Sequence, residues 1–544
     1  MPGDNIKIKF NSVVRMATPE FPTMDNAYMD VYAFFVPNRI LWQHWKEFMG
    51  ENNSDYWTQK TEYQIPKVSL NGSFFGSTSP HPSGIGTPAD YMGVPLHNLK
   101  NGINSWVSLN SLPFRGYAKI WNDWFRDENL DAPCQIYDYD NVQTPSPSGS
   151  SWNYNIYAQY GLELCPVSKF KDYFTSALPQ PQKGPAVSIP LNGFAGVLPY
   201  NITSDTPLQV PTVPMRLSPL NGSSFANSTN AIDVFGQSAT SSDSGTRRFS
   251  DLSAAQTLSS TPTPNYKVAP NNLYADLSSA TSATVNQLRL AFQTQKYYET
   301  LARGGSRYIE VLYSLYGVKA SDRSLQRSEY LGGKRIPVQM QQVAQTSATE
   351  SGTSPQGTMA AFSLTGISEY LANHFFEEHG FLFIMGCVRT DQTYGQGLER
   401  MWSRSHVLDY YFPVFANLGE QPILNKEIYL VGDIQDDDSQ DNSVFGYQEA
   451  WAEYRYKPNR VSGYMNPALS NGLKSWTYAN DFKSLPVLSS QFVHETADNV
   501  NRSLAIPVGD SSGATLSQFI CDCYIENTST RVMPMYSVPK LGNV

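Results

Sequence analysis

Residues Asn5 to Met16 alternate almost strictly between apolar and polar. Ile6, Ile8, Phe10, Val14 and Met16 fall on one face of an extended chain, and Asn5, Lys7, Lys9, Asn11 and Arg15 on the other. Period two predicts a strand with one buried and one wet face. At about 3.3 Å per residue it spans roughly 40 Å, longer than most strands. The proline-bracketed turn Thr18-Pro19-Glu20-Phe21-Pro22 leads into a second run, Tyr28 to Val36, apolar on both faces except at Asp30 and stopped by Pro37. A half-wet strand followed by one covered on both sides predicts a sheet packed against another layer.

Helical spacing appears in three further places. In GYAKIWNDWFRDENL, residues Tyr117, Ile120, Trp121, Trp124 and Phe125 form one apolar stripe. Ala283 to Arg303 predicts a helix ended by Gly304-Gly305. Arg307 to Tyr316 predicts another, closed by Gly317. Trp42 to Met49 reads as one or two helical turns closed by Gly50. The other pieces are extended: a connector from Leu164 to Gly184, a strand entering at Ala186 to Ile189, and a strand from Lys334 to Thr346 behind Gly332-Gly333. A long extended segment follows from Glu369 to Arg389, with a last strand at Gln518 to Ile525. Asn52 to Asn101 reads as a long ordered loop. Asn201 to Asn272 is dominated by Ser, Thr, Asn, Pro and Gly, and its only basic residues are Arg216, Arg247, Arg248 and Lys267. Loops of such length are either functional or disordered, and we expect an exposed protrusion. Dispersed strands with long loops fit a mainly β sandwich or barrel better than alternating βα units.

Composition narrows the function. Charged residues make up 16% of the 544 and aromatics 13%, with 33 Tyr and 10 Trp, against a typical charged fraction of about 25%. Permanent interfaces are depleted in charge and enriched in aromatics; a tyrosine-rich β-protein that works alone has the same composition. The net charge is −9 and no run of Lys or Arg exceeds two, so the basic patch of a nonspecific nucleic-acid binder is missing. Any genome contact then needs scattered side chains or a basic partner. Five cysteines (Cys134, Cys165, Cys387, Cys521, Cys523) are too few for a disulfide scaffold, and reduced thiols are expected. Cys521 and Cys523 share one face of a strand, in a geometry that does not favour a bond between them. Met1-Pro2-Gly3-Asp4 has no signal-peptide character. The apolar run Phe381 to Val388 is far short of the ~20 residues a membrane helix needs, and a soluble protein without membrane insertion is expected.

Candidate chemistry is sparse. Gly84-Ile-Gly86-Thr-Pro-Ala89 has the letters of a dinucleotide loop but a turn-rich lead-in instead of a strand. Gly332-Gly333-Lys334 lacks the earlier glycine of a phosphate loop, since position 328 is Ser. His374 and His379 are five apart, where a zinc pair on a helix needs four. Adjacent Glu377 and Glu378 point apart and cannot flank one glycosidic bond. No GxSxG elbow occurs, and Asn201-Ile-Thr203 is a chance glycosylation triplet. We therefore assign no catalytic, cofactor-binding or metal residue.

Five stretches carry a resemblance. They are RMATPEFPTMDNAYMDVYAFFVPNRILWQHWKEFMGE (Arg15 to Glu51), KDYFTSALPQPQKG (Lys171 to Gly184) and NQLRLAFQTQKYYETLARGGSRYIEVLYSLYGV (Asn286 to Val318). GLERMWSRSHVLDYYFPVFANLGEQPILNKEIY (Gly397 to Tyr429) and YQEAWAEYRYKPNRVSGYMNP (Tyr447 to Pro467) complete the set. Together they resemble the major capsid protein of the Microviridae, small tailless ssDNA bacteriophages, of the gokushovirus type. The resemblance implies an eight-stranded antiparallel jelly roll of viral-capsid type, with long loop insertions and a few α-helices. It also implies sixty copies assembled into a T=1 icosahedral virion shell around a circular ssDNA genome, built in the bacterial cytoplasm. The implied partners are further copies of the chain, a small basic DNA-binding phage protein, a DNA pilot protein and a host surface receptor.

On this reading residues 1–200 begin the jelly-roll core. Residues 201–272 form the variable insertion that protrudes at the threefold axes and serves host attachment, and residues 273–544 complete the core with intersubunit loops. Family members carry several dozen residues before the point matching Pro2-Gly3-Asp4, which leaves an upstream start open. The rival classes are a carbohydrate-active β-sandwich enzyme, which needs paired carboxylates about 5 to 9.5 Å apart, and a lectin-like adhesin.

Overall fold

The computed structural model describes residues 1–51, 62–76, 79–99, 106–140, 152–187, 285–305, 307–344, 359–432, 440–505 and 517–531, together with short strands between 196 and 276 and a few single positions. Six strands build the centre: β1 (Asn5–Met16), β2 (Ala27–Pro37), β3 (Glu329–Pro337), β4 (Thr365–Phe375), β5 (Gly380–Thr390) and β6 (Phe519–Thr530). They form two antiparallel sheets in the orders β4-β1-β6 and β3-β2-β5. β1 lies opposite β4 from Asn5↔Phe375 to Val14↔Thr365, and opposite β6 from Asn5↔Thr530 to Met16↔Phe519.

The two sheets face each other across one core, as the alternation in β1 requires. Ile6, Ile8, Phe10, Val14 and Met16 are buried there with Met29, Val31, Ala33 and Phe35 of β2 and Ile367 and Leu371 of β4. The opposite face of β2 is also covered: Phe34 and Val36 pack with Leu41, Trp42, Trp45, Leu112 and Ile120. This is the extra layer that the run Tyr28 to Val36 predicted. Its polar exception, Asp30, is fully buried and held between two guanidinium groups. Arg335 Nε lies 2.8 Å away and Arg389 Nε 3.0 Å, and both cations stack on Phe170 at 4.1 and 4.3 Å.

Several boundaries move. The helix expected over GYAKIWNDWFRDENL starts earlier, as α1 (Leu112–Ile120), and ends in one π turn at Trp121–Phe125. Beyond it, the Asp131 carboxylate accepts the Asp127 amide and folds the chain back. Glu369 to Arg389 is two strands rather than one segment, because β4 belongs to one sheet and β5 to the other. Lys334 to Thr346 is likewise split: β3 begins at Glu329, runs through Gly332-Gly333 and stops at Pro337, and a separate strand covers Met340–Ala344. The glycines allow close approach, since a Cβ at Gly332 would collide with the Leu371 carbonyl. β6 continues five residues past the expected Ile525 to Thr530. The loop expected at Asn52 to Asn101 contains the strand Lys67–Asn71, paired with Trp106–Asn110; residues 52–61, 77–78 and 100–101 lie outside the description. No strand begins at Ala186 or Val187, and 188–189 are not described.

α2 (Val285–Gly304) and α3 (Tyr308–Tyr316) fall where the periodicity puts them, and Gly317 closes α3 at φ +69°. The chain divides into two compact units, Met1–Gly184 with Tyr298–Val544, and Pro185–Tyr297. Most of the insertion read at 201–272 lies in the second unit and outside the described residues. Described there are backbone pairings of Leu273–Asp276 with Gly196–Asn201, and of Arg216–Pro219 with Ile232–Asp233 and Val268–Pro270. The architecture is mainly β with some helix. The described residues place six strands in the two facing sheets.

Candidate assembly surface

The residues weighed for chemistry do not converge. His374 Nε2 lies 3.7 Å from Glu329, Glu377 pairs with Arg323, and Glu378 pairs with Arg39 at 2.6 Å. His379 turns edge-on to Trp45 with ring centroids 5.7 Å apart. Gly84 and Gly86 belong to a 3-10 turn and its exit, with a single helical turn at Pro88–Tyr91 and, among the described residues, no strand directly before them. Gly332-Gly333-Lys334 is interior strand, and Thr203 lies outside the description. Among the described residues no group of three or more His, Cys, Asp or Glu could hold a metal ion. No described helix is long and apolar enough to cross a membrane. All five thiols are free; Cys521 and Cys523 are 3.2 Å apart, and the Ser12 hydroxyl lies 3.0 Å from Cys521.

What the fold does display is apolar surface on a fixed frame. Residues 400–418 form an arm of three 3-10 turns, Arg400–Ser403, Val407–Asp409 and Pro413–Phe415. Its base is pinned by charge. Arg400 Nη2 meets Glu427 Oε1 at 2.8 Å, and Arg404 Nη2 meets Glu453 Oε1 at 3.0 Å while its guanidinium stacks on Tyr454 at 4.4 Å. Glu427 also accepts the Tyr173 hydroxyl at 3.1 Å, and burial, followed by the Glu427 charge, raises the Tyr173 pKa. Along the arm, the Asp409 carboxylate accepts the Ser405 and His406 amides at 2.8 Å each. Those two bonds hold the Asp409 pKa below its usual range. Trp451 Nε1 donates to the Phe415 carbonyl at 2.9 Å.

The arm is thus held in place, yet it turns its large apolar groups outward. Trp402 is 69% exposed, Val407 72%, Leu408 68% and Val414 87%. A well-anchored segment that leaves such groups in water is the mark of a surface completed by another molecule. α3 adds to this: none of its nine residues is buried, and Tyr308, Tyr313 and Tyr316 are all exposed. It is anchored at its first turn, where the Arg307 amide donates to Glu128 Oε2 at 3.0 Å and its guanidinium to the Asn122 and Arg126 carbonyls. β6 is the third element. Among the described residues only β1 pairs with it, and eleven of its twelve residues are exposed, whereas strand edges are normally covered. The pinning residues Arg400, Arg404, Glu427 and Glu453 were not singled out from sequence. The available signal was a set of charged residues recurring in an otherwise aromatic stretch.

Residues 1–541 match the sequence profile of a family described as capsid protein (F protein). The chain is 36% identical over 561 residues to capsid protein VP1 of Spiroplasma virus 4, an alignment covering 100% of this chain and 91% of the relative. It is 35% identical over 577 residues to capsid protein VP1 of Chlamydia phage 1, covering 100% and 91%. For capsid protein VP1 of Bdellovibrio phage phiMH2K the figures are 35% over 549 residues, covering 99% and 90%.

Proposed function

Because this chain belongs to the phage capsid protein (F protein) family, and is therefore a structural component of a microvirus virion and not an enzyme, we propose that it self-assembles, sixty copies at a time, into a T=1 icosahedral shell around a circular ssDNA genome. The observation that carries this reading is the pinned apolar arm from Trp402 to Val414, whose exposed groups suit burial against a neighbouring copy. Contacts of one patch against a different patch close into rings and shells. Interfaces of permanent assemblies commonly bury 2,000 Å² or more. The subunit core is an eight-stranded jelly roll, a reading supported by the two facing antiparallel sheets. With a net charge of −9, the genome is held by scattered side chains multiplied by copy number, assisted by a small basic DNA-binding protein, and a pilot protein travels with the DNA. The insertion 201–272 protrudes at the threefold axes and meets the host receptor.

Electron microscopy of the purified full-length protein tests the shell: hollow particles of uniform size are expected, and a persistent monomer overturns it. Removing residues 201–272 separates the two roles. Particles lacking the insertion are expected to form and to attach poorly to host cells. Loss of particles would place the insertion in assembly instead.

A further inference from the structure

Between the paired strands Lys67–Asn71 and Trp106–Asn110 and the start of α1 lies a cavity of ≈ 10 Å³, lined by Lys67, Ser111, Arg115, Tyr137, Gln159 and Tyr160, room for one water-sized occupant. The lining is rich in donors. Gln159 is 2% exposed, and its Oε1 accepts the Tyr137 amide at 3.0 Å. That bond fixes which end of the amide is which and leaves Nε2 a buried donor with no partner among the described residues, on a side chain that lines the cavity. A buried donor left unpaired is costly.

Arg115, 4% exposed, gives Nη1 to the Leu41 carbonyl at 3.2 Å and Nη2 to the Tyr139 carbonyl at 3.1 Å. No carboxylate forms an ion pair with it among the described residues, although a buried cation normally has one. Burial pushes its pKa down to about 10, against the through-space pull of Asp138 and Asp140. Ser111 immediately precedes α1 and spends its hydroxyl proton on the Pro66 carbonyl at 2.9 Å. Ser111 and Lys67 both line the same space. Among the described residues no Asp or Glu lines the cavity.

We propose that this cavity binds a small monovalent anion, chloride being the probe. The buried Gln159 amide and the Arg115 guanidinium both line the cavity, and no ion pair to Arg115 is present among the described residues to balance its charge. A halide only accepts. The occupant joins the strand at Lys67 and the start of α1 to Tyr137, Gln159 and Tyr160, next to the small core around Leu70, Phe114 and Leu162. The inference does not depend on the assembly reading.

The test uses the full-length protein in two ways. Diffraction from its crystals at long wavelength is expected to show a chloride anomalous peak within contact distance of Gln159 Nε2 and the Arg115 guanidinium. In parallel, the thermal midpoint is expected to rise with the logarithm of chloride concentration when chloride replaces gluconate at constant ionic strength. Gln159→Leu is expected to abolish that response. Should Gln159→Leu not fold, Lys67→Met serves, with a weakened response expected. An ordered water without anomalous signal overturns the proposal. So does a peak accompanied by a midpoint indifferent to chloride, or a response that survives both substitutions.

Discussion

Replacing Val407, Leu408 and Val414 together with serine is expected to abolish particle formation while leaving the subunit folded. The three side chains are 72%, 68% and 87% exposed, so they add almost nothing to the isolated fold, and surface changes of this kind usually stay within about 0.5 kcal/mol. In a neighbour's pocket each regains most of its transfer free energy, about 1–2 kcal/mol after allowing for the part already covered. Together that is about 4 kcal/mol per contact, or roughly a thousandfold in the association constant. The arm keeps its shape because its frame is untouched: the Arg400–Glu427 and Arg404–Glu453 pairs and the Asp409 cap involve none of the three. The assay is sedimentation of purified protein through a gradient across a concentration series, with thermal unfolding of the slow fraction as control. Particles at an unchanged threshold concentration would show that the arm is not an interface. A midpoint lowered by many degrees would show that these groups serve the subunit's own fold.

Two further outcomes follow from the interior. Asp30→Ala is expected to destabilise the subunit by about 3–5 kcal/mol, because it strands the largely buried Arg389 beside the covered face of β2, while the half-exposed Arg335 stays solvated; denaturant unfolding reads it, and a loss under 1 kcal/mol would mean solvent reaches Arg389. His81 sits 2.9 Å from Glu163, whose hydrogen bond raises its pKa against the opposing effect of burial. A raised folded pKa means that this stabilisation is complete below the unfolded value of about 6.5 and is lost as pH rises through the folded one. The midpoint difference between wild type and His81→Gln should therefore shrink from pH 6 towards pH 9, and a difference that grows over that range contradicts the pair.

The elements whose information is local could be read from the chain alone. The alternation in β1 fixed its ends and its buried face, since only a period-two pattern buries Ile6, Ile8 and Phe10 together. α2 and α3 were legible for the same reason at helical period, and Gly317 marked a stop because a left-handed cap suits glycine. The five shared stretches identified the family, and through it the virion role, without any geometry. Tertiary structure decided everything that depends on pairing at a distance. No local signal says that β1 is flanked by residues 365–375 and 519–530, nor that Glu369 to Arg389 must break where the chain crosses from one sheet to the other. Asp30 looked like a flaw in an apolar run until Arg335 and Arg389 arrived from some three hundred residues away. The same holds for the arm. No period along residues 400–418 told which of its apolar residues are buried, and only the tertiary structure shows Trp402, Val407, Leu408 and Val414 to be surface, because burial is a property of what packs around a side chain and not of the side chain itself.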